Sequence, residues 1–442
     1  MNSWTRLLAL CAACCARAVL AAGPAPATAP DLAASFPRIR EQLASSEYQV
    51  REAGQKELDK IPATRLEELR TLAAKEADPE VKARLDERVA AMELCVLIHP
   101  APLSVRFANA TLAEVAAELN RQLGDTVVQS IGGTGKFTLA ADDQPFWEII
   151  NQLSAQSPIA TTSLLTASAG GTRYTLRLSQ LAGAPRTYQL IDTFAVTPQM
   201  SGQPATGNWA IMVRGYSDPR VRVSQYSQLR VEKITDQDGN SLLPLAVTSS
   251  TAMVNSVRPM IAWSSSATFS PAPGVTRIKE LRAGIALALV EKEKTVSIDL
   301  TKDPVPIDGP RGKITVEPIA AANGSMMLRI SPATAADNAP AASAVTRSVY
   351  VTIRVFDKDD KVVQTILTTL GGVTQIGMAV QAAAGQPTKV EISWPEKTRD
   401  MVLPVELRDI DVPAPVPVLQ PIVRPLPAVV PVPPIKPLVL PD

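Results

Sequence analysis

The 442-residue chain contains one histidine, His99, and four cysteines, of which Cys11, Cys14 and Cys15 fall within its first fifteen residues. That scarcity narrows catalysis by histidine or thiol to a single place in the chain. Any Ser-His-Asp or Cys-His mechanism has to run through His99, with Cys95 the one thiol in range. Four residues apart on a helix they could face each other, but the segment Cys95-Val-Leu-Ile-His99-Pro100 reads better as a strand or linker, where both are packing residues. One histidine and one cysteine are also too few for a histidine-based zinc site. Aromatic residues make up only 4% of the chain, which argues against base-stacking platforms and the aromatic girdles of a membrane barrel. Neither sign of charge dominates, with 44 Lys and Arg against 43 Asp and Glu. Nucleic acid and anionic membrane both call for a basic excess, so neither is an expected partner.

Long apolar runs are equally scarce. The first 22 residues have Arg6, an apolar run from Leu7 to Ala16 and small residues at Ala21-Ala22, the form of a signal peptide, interrupted by Arg17. Export follows as the expectation. Cys14 has Cys11 where a lipoprotein signal needs leucine, so a lipid anchor is not favoured. After cleavage only Cys95 would remain, and one cysteine cannot form an internal disulfide. No later stretch has about 20 uninterrupted apolar residues, so no transmembrane segment is expected in the mature chain.

Residues 23–30 form an Ala/Pro linker, and residues 31–95 a block of four helices. Ser46 with Gln49 and Thr64 with Glu67 have the spacing of capping boxes, and Asp78-Pro79 opens the fourth helix. The segments "SEYQVREAGQKELDKI" and "ADPEVKARLDERVAAM" align at a 31-residue offset, placing Val50 on Val81 and Leu58 on Val89. Together they resemble a short pair of HEAT-like repeats. Two repeats are fewer than a free solenoid needs, so the block should pack on something else, either the unit that follows or another copy. Its finely mixed charges read as a solvated helix face.

Residues 100–180 alternate between strand and helix. Leu103 to Phe107 has the period of a half-buried strand. Thr111 and Glu114 make a capping box, Leu112, Val115, Ala116, Leu119 and Leu123 share one helix face, and Gly124 can end the helix. Val127-Val128 and Lys136 to Leu139 read as a hairpin across Gly132, Gly133 and Gly135. Pro145 opens a second helix with Phe146, Ile149, Ile150 and Leu153 inward, and Arg173 to Leu178 closes the unit as a strand. In order and spacing, "LSVRFANATLAEVAAELNRQLGDTVV" and "KFTLAADDQPFWEIINQL" resemble the short N-terminal domain of bacterial outer-membrane secretins and TonB-dependent receptors. The resemblance implies a docking module with no reaction, at an address in the periplasm or exterior of a Gram-negative-type bacterium. Neither a secretin pore nor a receptor barrel follows it here.

Beyond residue 186 the pattern changes to short strands separated by Pro, Gly, Asn and Asp clusters, the signature of antiparallel sandwiches. We divide them into two sandwiches, 186–301 and 310–411, at "KDPVPIDGPRG". Each contains a strand ending in an acidic turn, "RVEKITDQDGNSLL" and "VTIRVFDKDDKVVQ", which suggests a duplicated topology. Residues 412–442 hold eleven prolines, enough to block helix and sheet and favour a polyproline II rod reaching about 90 Å. The expected fold is therefore multidomain α+β: helical repeats, a small α/β domain, two antiparallel sandwiches and a disordered proline-rich tail.

Candidate sites are few. Asp236-Gln-Asp238-Gly-Asn240 begins like a calcium loop but has Ser241 where glycine is needed and Val247 where a bidentate Glu belongs, so a hairpin turn is the better reading. Gly132 to Lys136 invites a phosphate-loop reading, but Ser130 replaces the first glycine and Phe137 the required hydroxyl residue. Asp142-Asp143 and Asp359-Asp360 are carboxylate pairs in turns. Pro431, Pro434 and Pro437 fit binding to an aromatic groove. No cofactor is expected. The function expected is a non-enzymatic exported scaffold or adaptor binding protein partners in the cell envelope. The alternatives are a secreted carbohydrate-binding or hydrolytic protein with its site between the two sandwiches and Trp209, Tyr216, Tyr226, Trp263 and Trp394 as stacking candidates, and an accessory part of a secretin-like channel.

Overall fold

Apolar stripes at helical spacing build the first 70 described residues. In the computed structural model, which describes residues 32–124, 127–168, 171–180, 188–203, 208–243, 253–269, 274–309, 312–320, 326–332, 349–370, 374–378 and 387–412, α1 (Leu32–Leu43), α2 (Tyr48–Asp59), α3 (Leu66–Lys75) and α4 (Pro79–Ile98) enclose one core. Its centre is Leu43, Leu58, Leu69, Val81 and Leu85, all fully buried. Asp78 caps α4 by accepting the N–H groups of Glu80 and Val81, with Pro79 in the first turn. The two expected capping boxes do not form. Glu47 precedes α2 without a side-chain cap, and a 3-10 turn over Ala63–Arg65 displaces the start of α3 past Thr64. The helix α4 also runs through Cys95 to Ile98, correcting the strand or linker reading: Leu94 and Ile98 give that segment a second buried face one turn apart.

The α/β unit contains β1 (Leu103–Thr111), α5 (Leu112–Leu123), β2 (Val128–Ile131), β3 (Lys136–Gln144), α6 (Phe146–Gln156), β4 (Ile159–Ser168) and β5 (Gly171–Gln180). The reciprocal Thr111–Glu114 capping box starts α5, and Gly124, at φ 71°, ends it. The expected hairpin between β2 and β3 is absent. β3 pairs with β1, and β2 pairs in parallel with β5, which also pairs with β4. The glycine-rich link therefore crosses between two small sheets, and both contribute to a core shared with α5 and α6.

Among the described residues from 188 onward, strands are the regular elements. β6 (Gln189–Ile191), β7 (Phe194–Gln203), β8 (Asn208–Tyr216) and β12 (Ala262–Phe269) form a four-stranded antiparallel sheet. A second, in the order β14-β15-β16-β19, consists of Ile307–Gly309, Gly312–Ala320, Met326–Pro332 and Thr374–Met378. Between them lies a seven-stranded sheet of β9 (Val223–Ser227), β10 (Arg230–Asp236), β11 (Met253–Met260), β13 (Arg277–Asp299), β17 (Val349–Phe356), β18 (Val362–Leu370) and β20 (Lys389–Asp411). The expected pairs of short strands around 285–300 and 388–407 are the single 23-residue strands β13 and β20. These run antiparallel along almost their whole length.

The sheets enclose two cores. Phe194, Ile211, Val213 and Trp263 of the first four-stranded sheet meet Ile285, Leu287, Leu403 and Val405 of the long strands. Ile314, Val316, Leu328 and Ile330 of the second meet Ile353, Val390, Ile392 and Trp394. A division of strands at Lys302–Pro310 thus does not separate the two cores. Met401, Leu403, Val405, Leu407 and Ile410, expected in the second sandwich, are built into the first core, and so is Val412, expected at the start of the proline-rich tail.

Candidate functional site

The unit carrying the docking resemblance is seated on the first four-stranded sheet. Trp147 sits on α6 at the position after Phe146 and is buried, although the periodicity did not mark it as inward. Its ring lies 5.3 Å from that of Tyr188 and 5.5 Å from that of Tyr216, with Phe146 edge-on at 5.2 Å. The Tyr216 hydroxyl donates to the carbonyl oxygen of Thr161 at 3.0 Å, and the Tyr188 hydroxyl bonds to the Thr161 Oγ1. Asn151 completes the seat: its Nδ2 donates to Tyr188 O at 3.0 Å and its Oδ1 accepts from Tyr188 N at 3.1 Å. Ala195 and Ile261 of the sheet region lie in the same cluster. Such an apolar contact with satisfied hydroxyls holds two bodies in one orientation.

Within the unit, side-chain amides occupy positions where further strands would bond. Val127 accepts from Leu176 on β5 at 2.7 Å, so the N–H and C=O of Val128 point the other way. Asn120 meets them, its Nδ2 donating to Val128 O at 2.8 Å while its Oδ1 accepts from Val128 N at 2.8 Å and Val127 N at 2.9 Å. On β3, the register shift opposite Ala108 and Asn109 interrupts pairing at Thr138. Gln156 takes both Thr138 backbone groups, at 3.0 and 2.9 Å. Gln122 donates to Ser104 O on β1 at 2.9 Å. These amides saturate backbone that would otherwise recruit a strand. The sequence signal was weak: three isolated Asn or Gln residues near helix ends, with nothing in their spacing to aim them at a strand edge.

The glycine-rich link is a strap. Gln180 lies across it, and a Cβ on Gly133 would come within 2.8 Å of the Gln180 Cβ. The Gln180 Oε1 accepts from Gly135 N at 2.9 Å, so the amide a phosphate would need is already used.

The helical block holds the body through α4. Leu94 and Ile98 enter the first sheet-on-sheet core, and Arg399 of β20 bonds to Glu93 and donates to Ala90 O at 3.2 Å. Arg70 reaches the same Glu93 at 2.6 Å, Arg399 reaches Glu291 at 3.0 Å, and Lys397 pairs with Glu291. Five charges of alternating sign thus run from Arg70 on α3 through Glu93, Arg399 and Glu291 to Lys397 on β20. Burial works to raise the Glu93 carboxyl, but the Arg70 and Arg399 guanidiniums outweigh it and hold it below its ordinary value. Glu291 is held low in the same way by Lys397 and Arg399.

His99 caps the end of α4. Its Nδ1 lies 2.9 Å from Cys95 O and 3.6 Å from Cys95 Sγ, and its Nε2 lies 3.9 Å from an Asp192 oxygen. A carbonyl can only accept, so the short contact places the proton on Nδ1. That nitrogen cannot also take the thiol proton, and the three residues form a helix-end contact in place of a Cys-His-Asp relay.

The acidic turns bind themselves. Asp236 Oδ1 accepts from Asp238 N at 2.9 Å and Asn240 N at 2.8 Å, and hydrogen bonds led by the Asn240 side chain hold its carboxyl below the ordinary value. Asp357 repeats the pattern with Asp359 N and Lys361 N, both at 2.9 Å. In both, the aspartate side chain closes the turn on backbone N–H groups two and four residues on. Among the described residues no group of three or more His, Cys, Asp or Glu side chains is placed to hold a metal. Trp209, Tyr216, Trp263 and Trp394 are buried and Tyr226 is half-buried, so these side chains do not form an exposed stacking platform. Pro431, Pro434 and Pro437, with the signal and linker segments, lie outside the described residues. No protein-family model matches the chain, and no curated protein matches it in sequence.

Proposed function

We propose that this protein is a non-enzymatic scaffold exported to the envelope of a Gram-negative-type bacterium. Its small α/β unit, a relative in pattern of the secretin and TonB-receptor docking domain, presents a surface to a protein partner. The HEAT-like block and the two sandwiches hold that unit in a fixed orientation. The observation that carries this reading is the Trp147–Tyr188–Tyr216 seat, which spends the unit's largest aromatic on attachment to the body. The capped backbone at Val128 and Thr138 directs recognition to side chains on its faces, and away from strand addition at those positions. The β1–β3 pair offers such a face, with exposed Ser104, Arg106 and Asp142.

A photo-crosslinking side chain placed at Ala108 of the full-length protein in its native host tests this. A discrete adduct to one protein is expected, and it should be lost when Arg106 and Asp142 are reversed to Glu and Arg. Adducts no different from those formed by the same probe at Lys302, on the exposed segment after β13, would defeat the proposal.

A further inference from the structure

The two β-regions match in more than their turns. The first lays down β6, β7 and β8 as neighbours and adds β12 beside β8; the second lays down β14, β15 and β16 and adds β19 beside β16. Phe194-Ala-Val-Thr-Pro198 on β7 corresponds to Ile314-Thr-Val-Glu-Pro318 on β15. Across the ladder, Thr197 faces Arg214 and Pro198 faces Val213, as Glu317 faces Arg329 and Pro318 faces Leu328. In each region the strand entering the acidic turn, β10 or β17, pairs with the first part of a 23-residue strand, β13 or β20.

The long strands give the strictest correspondence. Thr276-Arg-Ile278 and Ile298-Asp-Leu300 recur, displaced by 112 residues, as Thr388-Lys-Val390 and Ile410-Asp-Val412. Their contacts recur with exchanged partners. Val412 N donates to Thr276 O at 2.9 Å, and Leu300 N donates to Thr388 O at 2.8 Å. Arg277 is the register partner of Asp411, and Lys389 that of Asp299. An antiparallel pair in which equivalent residues swap roles at the two ends has two-fold symmetry about its centre. The 112-residue displacement and the register place that centre at the Ala288–Asp400 pair. Beside it lie the register shifts around Lys292 and the charged residues Glu291, Lys292, Glu293, Glu396 and Lys397. There the pair passes from one apolar core to the other.

We infer that residues 188–412 are two copies of one strand unit, related by a local two-fold axis through the β13–β20 pair, and that each copy's last strand completes the core of the other. The early part of β13 lines the first core, and its far end, Val296, Ile298 and Leu300, packs on the second. The early part of β20 lines the second core, and its far end, Met401 to Val412, fills the first. This crossing is a conformational device. The second unit cannot open without pulling on the strand that closes the first, and that strand also carries Arg399, which holds the helical block at Glu93. The seat of the α/β unit belongs to the first unit, so all three bodies answer to one pair of strands.

Two measurements on the full-length protein test the inference. In hydrogen exchange, Val405→Ala on β20 should speed exchange of β8 and β12 amides on the order of tenfold while leaving β15 and β16 near wild type. Ile298→Ala on β13 should do the reverse, on the order of threefold, because Ile298 is only half-buried. Faster exchange confined to the unit that carries each substitution, or no change in either, would overturn the crossing. The triple variant K389R/V390I/V412L writes the first copy's residues onto the second. It should shift Tm by no more than about 2 °C, and a loss as large as that of Val390→Ala would overturn the equivalence.

Discussion

The α/β unit and the helical block are held to the same body by different physics. The first is seated by four aromatic rings and two buried hydroxyls around Thr161. The second is held by one helix end, with two aliphatic side chains and a run of alternating charges. Apolar burial is insensitive to salt and to moderate acid, whereas ion pairs respond to both. The small unit's attachment should therefore follow the folding of the body, and the ionic part of the block's attachment should respond to salt and acid.

The sharpest break in this comparison is Trp147→Ala. Removing a ring with 1% exposure from the centre of the seat should cost about 3–5 kcal/mol, since the surrounding Phe146, Tyr188 and Tyr216 cannot close the cavity. Chemical denaturation should then show an early transition for the α/β unit ahead of the sheets. A single unshifted transition would mean that the seat is not what joins them.

Arg399→Met is next, at about 3 kcal/mol, the low end for removing one partner of a buried pair. It leaves Glu93 and Glu291 facing each other without their shared cation, and the effect should appear as faster exchange in α3 and α4 alone. The same block should loosen in acid. Glu93 and Glu291 have carboxyls held below their ordinary value of 4.5, so their contribution is complete above that pH and is lost as pH falls through the lowered values. Exchange in α4 should rise below about pH 4.5 in the wild type and show a smaller acid dependence in Arg399→Met. Equal acid sensitivity in the α/β unit would erase the distinction between the two attachments.

How much of this was legible follows from where the determining residues lie. The helices of the block and the capped α5 announce themselves because their apolar spacing and caps are local, within four residues of one another. The Gly-rich link was misread as a hairpin because the choice of partner for β2 and β3 depends on β5 and β1, which lie about 45 and 30 residues away. Short strands expected at Ile285–Val290, Thr295–Leu300, Thr388–Trp394 and Val402–Leu407 leave breaks at 291–294 and 395–401, where charge and proline resemble turns. They are the crossing point between two cores, where a strand needs no apolar face. The acidic turns, readable as turns, also contained the trace of duplication. The Thr-Lys/Arg-aliphatic repeat 112 residues apart was available in the sequence, but only a fixed register of two strands gives it meaning. Arg399 had no local signal at all, since Glu93 is 306 residues distant.

The smallest of these effects concerns the strand edges, and it bears on the small unit's role most directly. Asn120→Leu keeps the size of the side chain on α5 but strips the bonds from Val127 N, Val128 N and Val128 O. Because that edge can take up water once the amide is gone, the cost should be about 1–2 kcal/mol, toward the lower part of the range for unpaired backbone groups. The exposed edge should also acquire a new property. With its backbone bonds free, β2 can accept a strand from another copy, so the variant should associate with increasing concentration in sedimentation while the wild type's distribution is unchanged by the same concentration range. Gln156→Leu should do the same at Thr138 on β3. If both variants lose stability yet show no added association, the amides serve the fold alone, and strand addition returns as an available mode of partner binding for this unit.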